Sequence, residues 1–507
     1  MLDGLAHLGQ GIVGILTLES LLNVAWSTLL GIIVGALPGL TATMGVALLV
    51  TLTYKMDPNQ AILCLLCLYV GAIYGGSRSA ILINIPGTPA SAATTLDGFP
   101  LALQGRAGYA MGVATTSSAL GTVVGIVLLA AVAPALAELA LRFGSYEFFW
   151  LAVFGVVISG QLTSLDDPLK GYIAGILGLL IAMVGMEGIH AYQRFTFGIS
   201  ELGAGIDLIP AMVGAFGFAE ILNVMKEKLG AKPITTSDRV IPRFADVWQY
   251  KRTIVRSGII GTIVGIIPGV GEDIGAWASY AAARRASKEK ELFGKGSVEG
   301  LTAAETGNSA VVPGALIPAL TLAIPGSAPA AVLIAALFIH GVRPGPMLMI
   351  ENPTFVYEVV AILLLATVAI LVYGLSLTKL LVRVLLIPRE KLMPVIYVLC
   401  VIGPYAITQR MFDVWVMVAF GILGFALRQM KYPMAPLVLG IILGDLLDTN
   451  LRRGLVLTNG DPTPFFTRPI SLILCTATVL TILFSIPLVQ RLVRQALAGL
   501  RPRRAGG

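Results

Sequence analysis

Two stretches of the chain repeat one another, and each carries a Pro-Gly pair in the middle of an apolar segment. Gly31-Ile-Ile-Val-Gly-Ala-Leu-Pro-Gly-Leu-Thr-Ala-Thr-Met-Gly45 and Gly261-Thr-Ile-Val-Gly-Ile-Ile-Pro-Gly-Val-Gly-Glu-Asp-Ile-Gly275 are identical at seven of fifteen positions. Within a bilayer such a break is tolerated only where the freed backbone groups are buried in protein or line a cavity. Paired breaks in corresponding places of two halves point to a central binding site of the kind carriers build.

The bilayer follows from composition. The chain is 56% hydrophobic and 12% charged, against about 25% charged in a typical soluble domain, and its mean hydropathy is +0.86. Residues 109–133, 355–382 and 468–490 carry few or no charges over the roughly 20 residues a helix needs to cross the hydrocarbon core. The expected fold is an all-α polytopic membrane protein with about 11 or 12 transmembrane helices, re-entrant helical hairpins and two inverted repeats. The net charge of +7 lies in short loops between apolar runs, so it reads as a topology signal and not as a nucleic-acid surface. Met1 to Gly14 holds Asp3 and no Lys or Arg, which is unlike a cleavable signal peptide.

Charge in the loops orients the two breaks. Lys226 to Arg256 is strongly basic, and a second basic cluster follows at Arg284, Arg285, Lys288, Lys290 and Lys295. The positive-inside rule places both in the cytoplasm. The arms between them, Ile254 to Ile267 and Val270 to Ala283, are about 14 residues, roughly 21 Å of helix against a core of about 30 Å. A hairpin dipping to mid-membrane, with Pro268-Gly269 at its tip, satisfies both facts. The first copy predicts the same hairpin, with arms Leu22 to Leu37 and Leu40 to Thr53. Residues 1–23 carry no Lys or Arg and the far side offers only Lys55, so the charge rule gives no reason to place this mouth inside, and five crossings from Lys55 to Lys226 make it inverted relative to the second. By this reading residues 1–225 form a first transmembrane half and 226–256 a basic cytoplasmic loop. Residues 257–350 hold the second repeat motif with its hairpins, and 351–507 the C-terminal transmembrane helices with a basic cytoplasmic tail.

A second pair of breaks extends the repeat: Ile85-Pro86-Gly87-Thr88-Pro89 and Ile324-Pro325-Gly326-Ser327-Ala-Pro329. Ser79-Ala80 matches Ser309-Ala310 at the offset of the first blocks, while the Ile-Pro-Gly match needs nine extra residues in the second half. In that register apolar residues 60–73 would face strongly polar 290–303.

Broken helices aim unpaired N–H groups and a partial positive charge beyond the break and leave carbonyls free on the other side, which suits a carboxylate together with a small cation. The candidate substrate-binding residues are therefore Gly39, Thr41, Thr43, Ser77, Arg78, Asn84, Gly87, Thr88, Gly269, Pro325, Gly326 and Ser327. Arg78 is either a fork-shaped clamp for a carboxylate or an interfacial residue obeying the positive-inside rule. Glu272, Asp273, Glu305 and Asn308 are the candidates for a coupling ion, Na+ or a proton. For the acids the alternative is a capping role at a helix N-terminus.

Other chemistry is weakly signalled. Cys64 and Cys67 sit in an apolar run with no second pair, and read as small residues on one helix face. His7, His190 and His340 show no metal-ligand spacing, and no nucleophile elbow or Walker loop is present. No cofactor is expected apart from Na+ as a coupling ion, and no enzymatic activity.

Longer ordered motifs add a resemblance. Pro38-Gly39-Leu-Thr, Tyr74-Gly-Gly-Ser77, Ile83-Asn-Ile-Pro-Gly87, Leu96-Asp-Gly-Phe-Pro-Leu-Ala with Gln104-Gly-Arg-Ala-Gly108, and Phe293-Gly-Lys-Gly296 through Glu299-Gly300 resemble TctA. Leu316-Ile-Pro318, Ile324-Pro-Gly-Ser327 and His340-Gly-Val-Arg-Pro-Gly-Pro346 continue the match. TctA is the large membrane subunit of the tripartite tricarboxylate transporters. The resemblance implies a multi-pass permease of the bacterial inner membrane that imports a di- or tricarboxylate by cation-coupled alternating access. It also implies a TctB-like small membrane subunit and a TctC-like periplasmic solute-binding protein. The sequence departs from the commoner family pattern at Gly271-Glu272-Asp273 and at Thr306-Gly307-Asn308-Ser309. A carrier for a different small solute, or an ion antiporter, is the alternative.

Overall fold

A computed structural model of the protein describes residues 9, 11, 13–164, 167–226, 234, 238–486 and 489. The basic tail expected at Arg501 to Arg504 and part of the 226–256 loop lie outside these. The described residues are predominantly helical, with only one short two-stranded pairing among them, in keeping with the all-α expectation. The main helices are α1 (Leu18–Ala36), α2 (Ala42–Thr53), α3 (Pro58–Ile83), α4 (Ala92–Leu103), α5 (Ala107–Ala140), α6 (Ser145–Leu162), α7 (Pro168–Ala182), α8 (Leu208–Lys226), α9 (Lys251–Ile266), α10 (Gly271–Ala286), α11 (Val298–Leu322), α12 (Ala328–Ile339), α13 (Phe355–Ser376), α14 (Met393–Thr408), α15 (Met411–Gln429), α16 (Met434–Leu457) and α17 (Pro469–Ser485). Eight of them, α1, α3, α5, α6, α8, α13, α15 and α16, are long and apolar enough to cross a membrane.

These helices gather into two compact units, residues 1–142 with 206–430, and residues 143–205 with 431–507. In the second unit glycines bring backbones together: Gly171 abuts the Gly160 carbonyl, and Gly440 that of Gly175. Small residues of this kind let helices approach where no water drives them together. Ion pairs hold the ends, Arg468 with Glu147 at 2.9 Å and Arg194 and Arg452 with Asp448 at 3.0 Å each.

The first unit holds both breaks. Thr17 caps α1, its hydroxyl accepting from the Ser20 N–H at 3.1 Å, and Thr41 caps α2 by accepting from Met44 at 3.2 Å. The turn between them passes through Gly39 at φ +93°, and the second tip through Gly269 at φ +69°, conformations that favour glycine. The two hairpins are less alike than the sequence predicts. The Thr17 cap starts α1 early, giving it 19 residues against 16 for α9. α9 and α10 pack along each other, whereas α1 and α2 scarcely touch.

Glycine contacts fix the correspondence of the two halves. A side chain on Gly31 or Gly35 would strike the carbonyl of Leu68 or Ala72 on α3, and one on Gly261 or Gly265 would strike that of Gly307 or Val311 on α11. Both long helices end in a left-handed residue, Asn84 at φ 57° and Ala323 at φ 56°. Leu68 therefore answers to Gly307, and Asn84 to Ala323. The expected match of Ser79-Ala80 with Ser309-Ala310 is displaced, because Ser79 answers to Pro318 and Ser309 to Val70. The nine extra residues enter ahead of α11, around the polar loop 287–297, and the conflict between 60–73 and 290–303 disappears.

The second breaks close onto the first in the same way. A Cβ on Gly87 would meet the Gly35 carbonyl oxygen, and a Cβ on Gly326 that of Gly265. Gly87→Ala and Gly326→Ala are each expected to cost about 1–3 kcal/mol by overpacking, whereas Gly14→Ala, with open space around its Cβ position, leaves stability unchanged. Thermal unfolding of the purified protein in detergent reads the difference.

Candidate functional site

The two halves cross over to build one site. α12, which follows the second break, packs on α2 of the first hairpin, and α10 of the second hairpin packs on α4 and the turn Pro89–Ser91 after the first break. Each break is thus faced by the opposite half. At the second, the Gly269 N–H donates to the Pro325 carbonyl at 3.3 Å and the Gly271 N–H to that of Gly326 at 3.2 Å. Pro325 and Gly326 are buried here.

Tyr69 supplies the link that the sequence reading missed. Its hydroxyl shares a hydrogen bond of 2.7 Å with Ser327 Oγ and donates to Glu272 Oε1. Ser327 also caps α12, accepting from the Ala330 N–H at 3.4 Å. Glu272 is buried in the first turn of α10, and Asp273 beside it is half-buried. Tyr69 lies mid-helix in an apolar run, so nothing in the local sequence marks it.

Counterparts in the other half are chemically different. By the register above, Asn308 on α11 stands where Tyr69 stands on α3, Thr88 where Ser327 stands, and Ala42 and Thr43 where Glu272 and Asp273 stand. Asn308 is fully buried, yet neither its Oδ1 nor its Nδ2 has a hydrogen-bond partner, and the same holds for Thr88 Oγ1. Buried polar atoms are nearly always paired, and an unpaired one costs about 1–3 kcal/mol. Thr43 is buried, and Thr41 and Gly39 are half-buried at the first tip. Asn84 is exposed and serves the left-handed end of α3.

Glu305 makes a separate buried cluster. Ser77 donates to its Oε2 at 2.6 Å and Ser118 at 2.8 Å, while Thr94 donates to Oε1. The three hydroxyls come from α3, α5 and α4, so α11 is tied to three helices at once. Asp97 does similar work nearby. It accepts from Tyr280 at 2.9 Å and from the backbone N–H groups of Gly294, Gly296 and Ser297 at 2.8–2.9 Å, pinning the inserted loop.

Arg78 does not join the breaks. Gly76 and Ser79 on α3 face Thr88 and Gly87, whereas Arg78 turns to the other side, where it donates to Thr115 Oγ1 at 2.8 Å and lies over the Tyr74 ring at 4.7 Å. It is 1% exposed, so it is not an interfacial residue either, and its Nε and Nη1 have no hydrogen-bond partner. Basic side chains also line a cleft of about 560 Å³ against α4, formed by Leu96, Trp277, Tyr280, Arg284, Arg285 and Lys290.

Hydrogen bonds to a charged acceptor contribute about 1.5–3 kcal/mol each. A double-mutant cycle of Ser118→Ala with Glu305→Gln is expected to show a coupling of that size in thermal or denaturant unfolding. Additive effects would mean that the cluster is not formed.

The description "Tripartite tricarboxylate transporter TctA family" matches residues 21–439. Among similar proteins of Agrobacterium vitis, an uncharacterized 52.8 kDa protein in the TAR-I ttuC' 3' region is 37% identical over 483 residues, 93% of this chain and 94% of the relative. An uncharacterized protein in the TAR-II ttuC' 3' region is 35% identical over 211 residues, 42% of this chain and 87% of the relative. A multi-pass helical membrane protein with matched breaks and this extent of similarity belongs to the tripartite tricarboxylate transporter TctA family.

Proposed function

We propose that this permease imports a di- or tricarboxylate in symport with Na+ or H+, and that the two breaks divide the work between anion and cation. The chemical asymmetry of equivalent positions carries this reading. Glu272 and Asp273 open α10 where Ala42 and Thr43 open α2. A carboxylate is repelled by the acidic second tip and favoured at the first, where the N-terminus of α2 presents its partial positive charge. There Thr88 Oγ1 and Asn308 Nδ2 are buried donors without a partner, and Gly39, Thr41, Thr43 and Gly87 are assigned to the same site. Glu272, bridged by Tyr69 to Ser327, is the group for the coupling cation, with Asp273 alongside and the Gly269 to Gly271 and Pro325-Gly326 segments around it.

Glu305 is satisfied by three hydroxyls, and its role in this proposal is to hold α11 and hence Asn308 in place. Arg78 balances that carboxylate within the core. The basic cleft at Arg284, Arg285 and Lys290 favours an anionic solute. The repeat inversion inferred from loop charge gives the two hairpins opposite mouths, as alternating access requires. In the bacterial inner membrane, a TctB-like small subunit and a TctC-like periplasmic solute-binding protein complete the proposed system, the latter delivering the solute.

Citrate binding and cation-driven uptake by the reconstituted transporter separate the two roles. Thr88→Val is expected to weaken anion affinity about tenfold, the equivalent of one hydrogen bond, without altering cation dependence. Glu272→Gln is expected to abolish cation dependence while anion binding persists. If Glu272→Gln leaves the cation dependence of uptake intact, the division of labour fails.

A further inference from the structure

A groove of about 1110 Å³ runs between α5 and α9, and none of the residues of the breaks lines it. Its length is apolar and outward-facing. Leu120 and Val123 on α5 and Val255 and Ile259 on α9 line it, and all four are more than a third exposed. Its mouth is basic. Arg243, Lys251, Arg252 and Arg256 line that end, Lys251 lying 4.9 Å from the Trp248 ring centroid.

Among the described residues none of these four basic side chains makes an ion pair within 4 Å. The nearby acids are otherwise engaged, Asp246 accepting from the Arg243 backbone N–H at 3.1 Å and Glu299 from the Thr253 hydroxyl at 2.6 Å. Arg256 Nε is buried without a hydrogen-bond partner. A small carboxylate could use the mouth but not the groove, whose walls offer it no hydrogen bonds. One class of ligand matches both parts, a phosphate attached to acyl chains. The same basic residues are those that the positive-inside rule puts at the cytoplasmic leaflet, where anionic lipids lie.

We propose that the groove between α5 and α9 is a binding site for an anionic phospholipid, with the headgroup phosphate held by Lys251, Arg252 and Arg256 and an acyl chain lying along Val255 and Ile259 against Leu120 and Val123. The chain length is suitable. From Arg252 to Ile260, α9 rises about 12 Å, which carries the groove from the interface into the hydrocarbon. An occupied groove seals the seam between α9, which carries the second hairpin, and α5, which carries Ser118 of the Glu305 cluster.

Native mass spectrometry and thermal unfolding of the purified full-length protein test this with phosphatidylglycerol, phosphatidylcholine and inorganic phosphate as separate probes. Phosphatidylglycerol is expected to stay bound and to raise the unfolding temperature, and the other two to do neither. Lys251→Gln/Arg252→Gln/Arg256→Gln is expected to lower retention about fivefold per charge, on the order of 100-fold for the three. Val255→Trp fills the groove while keeping every charge, and is expected to lower retention as well. Equal retention of the two lipids, or wild-type retention by both variants, overturns the proposal. So does stabilisation by phosphate alone, or a lipid-free groove in which Ile259→Cys cross-links to another polypeptide.

Discussion

The architecture depends on glycine in one helix pressing against a backbone carbonyl in the next. Gly31 and Gly35 do this against α3, Gly261 and Gly265 against α11, and Gly87 and Gly326 return the favour to the carbonyls of Gly35 and Gly265. In lipid no hydrophobic force drives helices together, so close backbone packing must supply the cohesion. It also solves a second problem. Chain that breaks beside such a contact is packed against protein, which is the condition under which non-helical backbone survives at membrane depth.

Because the same contacts occur twice, the two breaks are near copies, and small chemical differences between them become informative. One break is bridged across the two halves by Tyr69, Ser327 and Glu272. At the other, the side chains of Asn308 and Thr88 are buried without a hydrogen-bond partner. Their unpaired hydrogen-bonding groups, together with a first hairpin tip that carries no acid, are what support a carboxylate there and a cation opposite.

Much of this was legible in the residues. Pro38-Gly39 and Pro268-Gly269 marked the hairpin tips, and Thr88 and Ser327 marked matching hydroxyls beside the second pair of breaks, because Pro, Gly and hydroxyl residues act locally. The register of α3 against α11 was not legible. An insertion in a polar loop shifts a long helix without changing its composition, and only tertiary contacts such as Gly31 with Leu68 disclose it. Tyr69 was hidden because an aromatic residue in an apolar run looks like packing. Arg78 drew attention by its charge, yet its side of α3 is set by a helical rotation of one or two residues that a boundary guess does not resolve. The partners of Glu305 come from three helices, so no spacing in the chain could announce them.

The most direct test is the structure of the protein in lipid nanodiscs, determined by electron cryomicroscopy with citrate and the coupling cation present. The account predicts carboxylate density against Thr88 and Asn308 beside the α2 N-terminus, with the cation next to Glu272. Citrate density at Arg78 or against Glu272, with Thr88 and Asn308 left unoccupied, would contradict it.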